Sequence, residues 1–220
     1  AQHLVSRYRV LVPDLRGRGF SQWDTDIQNY HAKVYLNDVS KLITDVGAGR
    51  VAVIGTSLGG ILAMLLAASS PDRIAGIVVN DIGPELAKEG VDRIASYVGV
   101  REAPVTWAGA VAQLKVSYAQ AYPDFSEDDW QRFAKACYRE RDGRVVADYD
   151  PLIGDAMRAT SGHKFDLWEL WKGLKVPALA VRGTLSDLLS AETFERMQTE
   201  LPSLERVTVV NRGHTPLLTE

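Results

Sequence analysis

The stretch "VAVIGTSLGG", residues 51–60, decides how the rest of the chain is read. Four apolar residues run into Gly55, Thr56, Ser57 and Leu58, two more glycines follow, and a long apolar run, "ILAMLLAASS", begins at once. The pattern is a buried strand passing into a helix. A plain turn between them needs only Asn-Gly or Asp-Gly. A lone serine among small residues at that bend is placed instead to act as a nucleophile held out on a sharp strand-to-helix turn. Gly55 and Gly59 are expected to let the chain turn without side-chain clashes and to let the helix pack close to the strand. The backbone N–H of Leu58, at the helix N-terminus, is expected to face an oxyanion.

Working outward, strand-like and helix-like segments alternate. "YRVLVPDL" (8–15) reads as a short buried strand ended by Pro13-Asp14. "HAKVYLNDVSKLITDVG" has helical spacing and stops at Gly47. "IAGIVVND" (74–81), "VPALAVRG" (176–183) and "ERVTVV" (205–210) read as further strands, with a helix from Ala191 to Glu200. Alternation of this kind predicts an α/β fold with a mostly parallel sheet. Residues 83–172 interrupt it. Three helical patterns, "PELAKEGVDRIASYV", "TWAGAVAQLKVSYAQA" and "SEDDWQRFAKACYRE", lie there, the last opening on a Ser126/Asp129 capping box. We read residues 1–82 and 173–220 as the core and 83–172 as an inserted helical cap, with Trp107, Tyr118, Trp130, Tyr138, Trp168 and Trp171 as its own core.

Loops leaving the carboxyl ends of parallel strands share one edge of the sheet, where ligands collect. Ser57, Asp187 and His214 each follow a strand at that edge, in the order Ser, Asp, His. The chemistry needs each type: an imidazole takes the serine proton, and a buried carboxylate fixes the imidazole's tautomer and stabilises its charge. Asp81, also at a strand end, is the rival acid. Ser190 is better placed than Asp187 to cap the helix that follows. His3, His31 and His163 lie at no strand's carboxyl end, which leaves His214 as the base.

Composition narrows the classes. The chain has 220 residues, 46% hydrophobic and 24% charged, with a formal net charge of -3. That gives an ordinary globular protein without a basic footprint for nucleic acid. No apolar run approaches the roughly 20 residues of a membrane helix. One cysteine, Cys137, fits a reducing, cytoplasmic setting and reads as a small buried residue. No metal cluster, phosphate-cradling loop or dinucleotide fingerprint is present, so no cofactor is expected.

"DLRGRGFS" (14–21), "GTSLGG" (55–60), "NDIGPEL" (80–86), "DYDP" (148–151), "RGTLSDLL" (182–189) and "GHTPLL" (213–218) together resemble the α/β-hydrolase fold family. The nearest branch holds esterases, enol-lactone hydrolases, carbon–carbon bond hydrolases and cofactor-free haloperoxidases. The resemblance implies Ser57, Asp187 and His214 as triad, residues 83–172 as cap, and a small-molecule ester or lactone as substrate. Carbon–carbon hydrolysis or perhydrolysis by the same triad, and a non-catalytic ligand-binding protein on the same fold, are the alternatives. Epoxide hydrolases and haloalkane dehalogenases of this fold use Asp as nucleophile, and Ser57 argues against both. In the family a strand ending in a His-Gly loop, which supplies the second oxyanion donor, precedes the equivalent of residues 1–15. A helix follows the equivalent of residue 220. Neither is recognisable here, so the resemblance implies an internal fragment that is an unstable and poor enzyme by itself.

Overall fold

The computed structural model describes residues 3–100, 106–160 and 165–218. Four strands, β1 (Val51–Thr56), β2 (Ile74–Asn80), β5 (Ala178–Gly183) and β6 (Glu205–Val209), form a parallel sheet in the order β1-β2-β5-β6. Helices α1 (Ala32–Asp45), α2 (Leu58–Ser69) and α8 (Ala191–Glu200) connect or flank them. β2 runs as an almost unbroken apolar segment because it has a neighbour on each side and little contact with water. α2 is apolar around most of its circumference, and Leu62, Ala63, Met64, Leu66 and Ala67 are all buried. Ala63, Met64, Leu66 and Ala67 pack with Ile77, Val79, Ala180, Leu189 and Met197 into one core, while Leu62 faces a separate cluster with Tyr30, Tyr35 and Ile153. α1 ends as expected: Gly47 follows its C-cap at φ +64°, a conformation glycine adopts without strain.

Three expectations change. Residues 8–15 form no strand, and Val12 is 78% exposed. A strand needs a partner for its backbone groups. Among the described residues β1 pairs with β2 alone, and residues 9–13 do not reach its other edge. The segment between β2 and β5 is also less purely helical than its periodicity suggests. It holds α3 (Lys88–Tyr97), α4 (Trp107–Tyr118), α5 (Glu127–Cys137), α6 (Leu152–Ala159) and α7 (Trp168–Lys172), but also an antiparallel hairpin of β3 (Tyr138–Arg141) and β4 (Arg144–Ala147). The signal for it was present. Asp142-Gly143, at φ +49° and +71°, is the Asp-Gly pair that a two-residue hairpin turn requires.

The capping box forms, Ser126 accepting from Asp129 N–H and Asp129 from Ser126 N–H. A second apolar cluster gathers Leu114, Tyr122, Trp130 and Val145, with Trp107, Tyr118, Phe125, Phe133 and Tyr138 packed against it. Trp168 and Trp171 do not belong to it. They sink into the core beside the sheet, Trp171 donating its indole N–H to the Met197 carbonyl at 2.9 Å. Among the described residues no helix is long and apolar enough to cross a membrane.

Candidate active site

Because the four strands are parallel, their carboxyl ends open onto a single rim. β1 delivers Ser57 there, at φ +52° and ψ -118°. A serine at a helix N-cap ordinarily spends its hydroxyl on the helix's first N–H groups. Ser57 makes no such bond, because the bend turns its side chain away from the helix. Its Oγ lies 3.1 Å from His214 Nε2 instead. Two glycines make the bend possible, and one is not the expected one. A Cβ on Gly55 would sit 2.0 Å from the Gly59 carbonyl oxygen, and one on Gly60 would sit 2.3 Å from Ile82 Cγ2. Gly59 itself faces open space, so close helix packing depends on Gly55 and Gly60.

His214, 5% exposed, lies in the loop after β6. That loop is gripped from two directions. Asn80 donates its amide to the Pro216 carbonyl at 2.8 Å and to Thr56 Oγ1 at 3.1 Å, tying the loop to the ends of β1 and β2. From the inserted segment, Tyr122 Oη donates to the Thr215 carbonyl at 2.6 Å, and Ala121 O accepts from Gly213 N–H at 2.8 Å.

The carboxylate facing His214 is not the expected Asp187. His214 Nδ1 lies 2.9 Å from Asp81 Oδ2, and Asp81 is fully buried. Asp187 points the other way, into a bidentate pair with Arg93 of α3 through Nε and Nη2, the latter at 2.8 Å. The sheet order supplies the reason. β2 adjoins β1, so a carboxylate at the end of β2 stands next to Ser57, and His214 reaches both from β6 across β5. The loop after β5 is turned so that Ser186 faces Asp81 while Asp187 faces α3. Burial alone would push the Asp187 carboxyl up. The Arg93 guanidinium reverses this and holds it below the usual 3.8.

Leu58 opens α2, with its N–H at the positive end of the helix. Cys137 is half-buried, and burial pushes its thiol up to about 11, so it is no rival nucleophile. His31 caps α1, accepting from Lys33 N–H at 3.3 Å, and His163 lies outside the described residues. Ser190 caps α8 as expected. Among the described residues no group of three or more His, Cys, Asp or Glu side chains is arranged to hold a metal. A groove of about 620 Å³ lined by Glu85, Asp166, Trp168, Lys172 and Arg196 contains none of Ser57, Asp81 or His214.

The family model described as "Alpha/beta hydrolase family" matches residues 1–220. The chain belongs to the alpha/beta hydrolase family. It is therefore an enzyme, and the hydrolase fold expected from its motifs is the fold it has. The 3-hydroxybutyrate-oligomer hydrolase of Cupriavidus necator is 31% identical over 225 residues, spanning 98% of this chain and 76% of that enzyme. The 2-(acetamidomethylene)succinate hydrolase of Mesorhizobium japonicum is 28% identical over 96% of this chain and 73% of its own. The crystal structure of an alpha/beta hydrolase from Novosphingobium aromaticivorans matches with a TM-score of 0.87 at 42% identity, covering 94% of this hydrolase and 74% of that chain.

Asp81, Asn80, Gly60 and Ser186 surround the candidate site of this hydrolase, yet sequence reasoning either ranked them second or passed over them. For Asp81 the available signal was its place at the end of "IAGIVVND". For Ser186 there was none, since a serine beside an aspartate in a loop is unremarkable until the fold sets both against a third residue.

Proposed function

We propose that this enzyme cleaves a carboxylic ester or lactone through an acyl-enzyme on Ser57, with His214 as base and Asp81 as the orienting acid. The observation that carries the reading is the continuous line from Asp81 Oδ2 to His214 Nδ1 at 2.9 Å and from His214 Nε2 to Ser57 Oγ at 3.1 Å. Ser57 Oγ attacks the carbonyl carbon and its proton passes to His214 Nε2, Asp81 stabilising the imidazolium. The oxyanion accepts from Leu58 N–H. The leaving alcohol takes the proton from His214. Water, deprotonated by His214, then cleaves the acyl-enzyme and regenerates Ser57. Residues 83–172 serve as the cap over this rim. The relative named for a 3-hydroxybutyrate oligomer supports an ester, because hydroxy-acid units in such an oligomer are joined by ester bonds.

The test is a fluorophosphonate probe with a panel of esters and lactones. The protein should be labelled and should turn over at least one of them, and Ser57→Ala should do neither. Asp81→Asn should lower kcat by on the order of 10⁴ by leaving His214 in the wrong tautomer. Asp187→Asn should hold kcat within about 10-fold, since it disturbs only a partly exposed ion pair. A protein that resists the probe, or a pair of aspartate variants with these effects exchanged, would overturn the assignment.

A further inference from the structure

Asp81 is fully buried, and an ionised carboxylate in such a place must be compensated by donors. It has three. Gly183 N–H reaches Oδ1 at 2.8 Å, His214 Nδ1 lies 2.9 Å from Oδ2, and Ser186 Oγ lies 2.6 Å from the same Oδ2. A serine hydroxyl has one proton and can point it anywhere. Here its direction is determined. The Ser186 oxygen accepts from Leu189 N–H at 3.1 Å and from Leu188 N–H at 3.3 Å, so its lone pairs are engaged and its proton is left for Asp81. The loop that carries it is braced on both sides. Ser186 N–H donates to the Gly183 carbonyl at 3.0 Å, and Arg182 Nε donates to the Leu189 carbonyl at 2.7 Å.

We infer that Ser186 is a positioning residue for the reaction, the fourth member of a chain running from the Leu188 and Leu189 N–H groups through Ser186 and Asp81 to His214 and Ser57. Resting on the proposed triad, the inference assigns Ser186 a task His214 cannot perform for itself. It fixes the oxygen that receives Nδ1–H, and so fixes the plane and tautomer of the imidazole. Charge-assisted hydrogen bonds are short and directional, and a carboxylate oxygen shared by two donors has little freedom to rotate. No substrate atom needs to touch Ser186. The effect should therefore fall on chemistry and not on binding.

The experiment compares Ser186→Ala and Ser186→Thr with the unaltered protein, on an ester it turns over. Ser186→Ala should lower kcat by roughly 10- to 100-fold, the range for losing a hydrogen bond to a charged group, with KM within about 2-fold. Fluorophosphonate labelling should slow in the same proportion. The downfield proton resonance of His214 Nδ1–H should shift or broaden. Ser186→Thr, which keeps the hydroxyl, should recover most of the rate. Thermal melting of each variant separates lost folding from lost chemistry, and rates are compared per folded molecule. Unchanged kcat, labelling and resonance in a folded Ser186→Ala, or a folded Ser186→Thr as slow as the alanine variant, would overturn the inference. Failure of the unaltered protein to react with the probe would instead refute the triad on which it rests.

Discussion

Ser57 and Asp81 are both non-glycine residues in the left-handed region, at φ +52° and +55°. Each such residue costs about 1–3 kcal/mol and persists only where its surroundings over-determine it. For Ser57 those surroundings include its N–H bonded to the Asn80 carbonyl at 3.1 Å and the glycine contacts below it. Gly60 shares this burden with Gly55, because a Cβ there would sit 2.3 Å from Ile82 Cγ2. Replacing Gly60 by alanine should therefore lower stability by about 1–3 kcal/mol through overpacking. The same change at Gly59, which meets open space, should be neutral or stabilising by up to about 1 kcal/mol, as expected of Gly→Ala in a helix. Urea denaturation of the two variants measures both, and the opposite ranking would refute the packing account.

At the scale of elements, α3 is the piece of the inserted segment docked most directly on the loop after β5. Gly90 N–H donates to the Asp187 carbonyl at 3.1 Å and Ala87 N–H to the Leu188 carbonyl at 2.9 Å. A Cβ on Gly90 would stand 2.6 Å from Leu188 Cα, so only glycine allows this approach. Arg93 then closes the contact on Asp187. The pair is partly exposed and contributes about 1 kcal/mol or less. Its pH dependence has a definite sign. The Asp187 carboxyl titrates below its ordinary 3.8 in the folded protein, so its contribution is complete above pH 3.8 and fades as pH falls through the lower native value. Arg93→Gln should lose stability near neutral pH, and its deficit against the unaltered protein should shrink as pH drops below 3.8. Melting curves at a series of acid pH values test this. A deficit constant with pH would show that packing, not the ion pair, holds α3.

For the whole molecule, the sheet is asymmetric in protection. β2 and β5 each have a strand on both sides, whereas among the described residues β1 and β6 each have one. Ile54 of β1 is 47% exposed, and Tyr8 and Val12, in the segment read as a strand, are 62% and 78% exposed. Native-state hydrogen exchange should therefore be slowest in β2 and β5 and faster along the outward-facing N–H groups of β1. Uniform protection across β1 and β2 would mean that the outer edge of β1 is covered in solution.

The strand-to-helix bend at Ser57, the place of His214 on the same rim and the alternation of strands and helices were legible in the sequence because each is local. Apolar run length marks a buried strand, small residues mark a sharp turn, and chain order places each loop at a strand's end. The Ser126 and Ser190 caps were legible for the same reason. The choice between Asp81 and Asp187 was not. Both stand at carboxyl ends of strands, and nothing in their neighbours in the chain separates them. Only the strand order β1-β2-β5-β6 puts Asp81 beside Ser57. The turn after β5 then sends Asp187 to Arg93 and Ser186 to Asp81. Partnerships between residues about a hundred positions apart are decided by packing, and packing is a property of the folded chain.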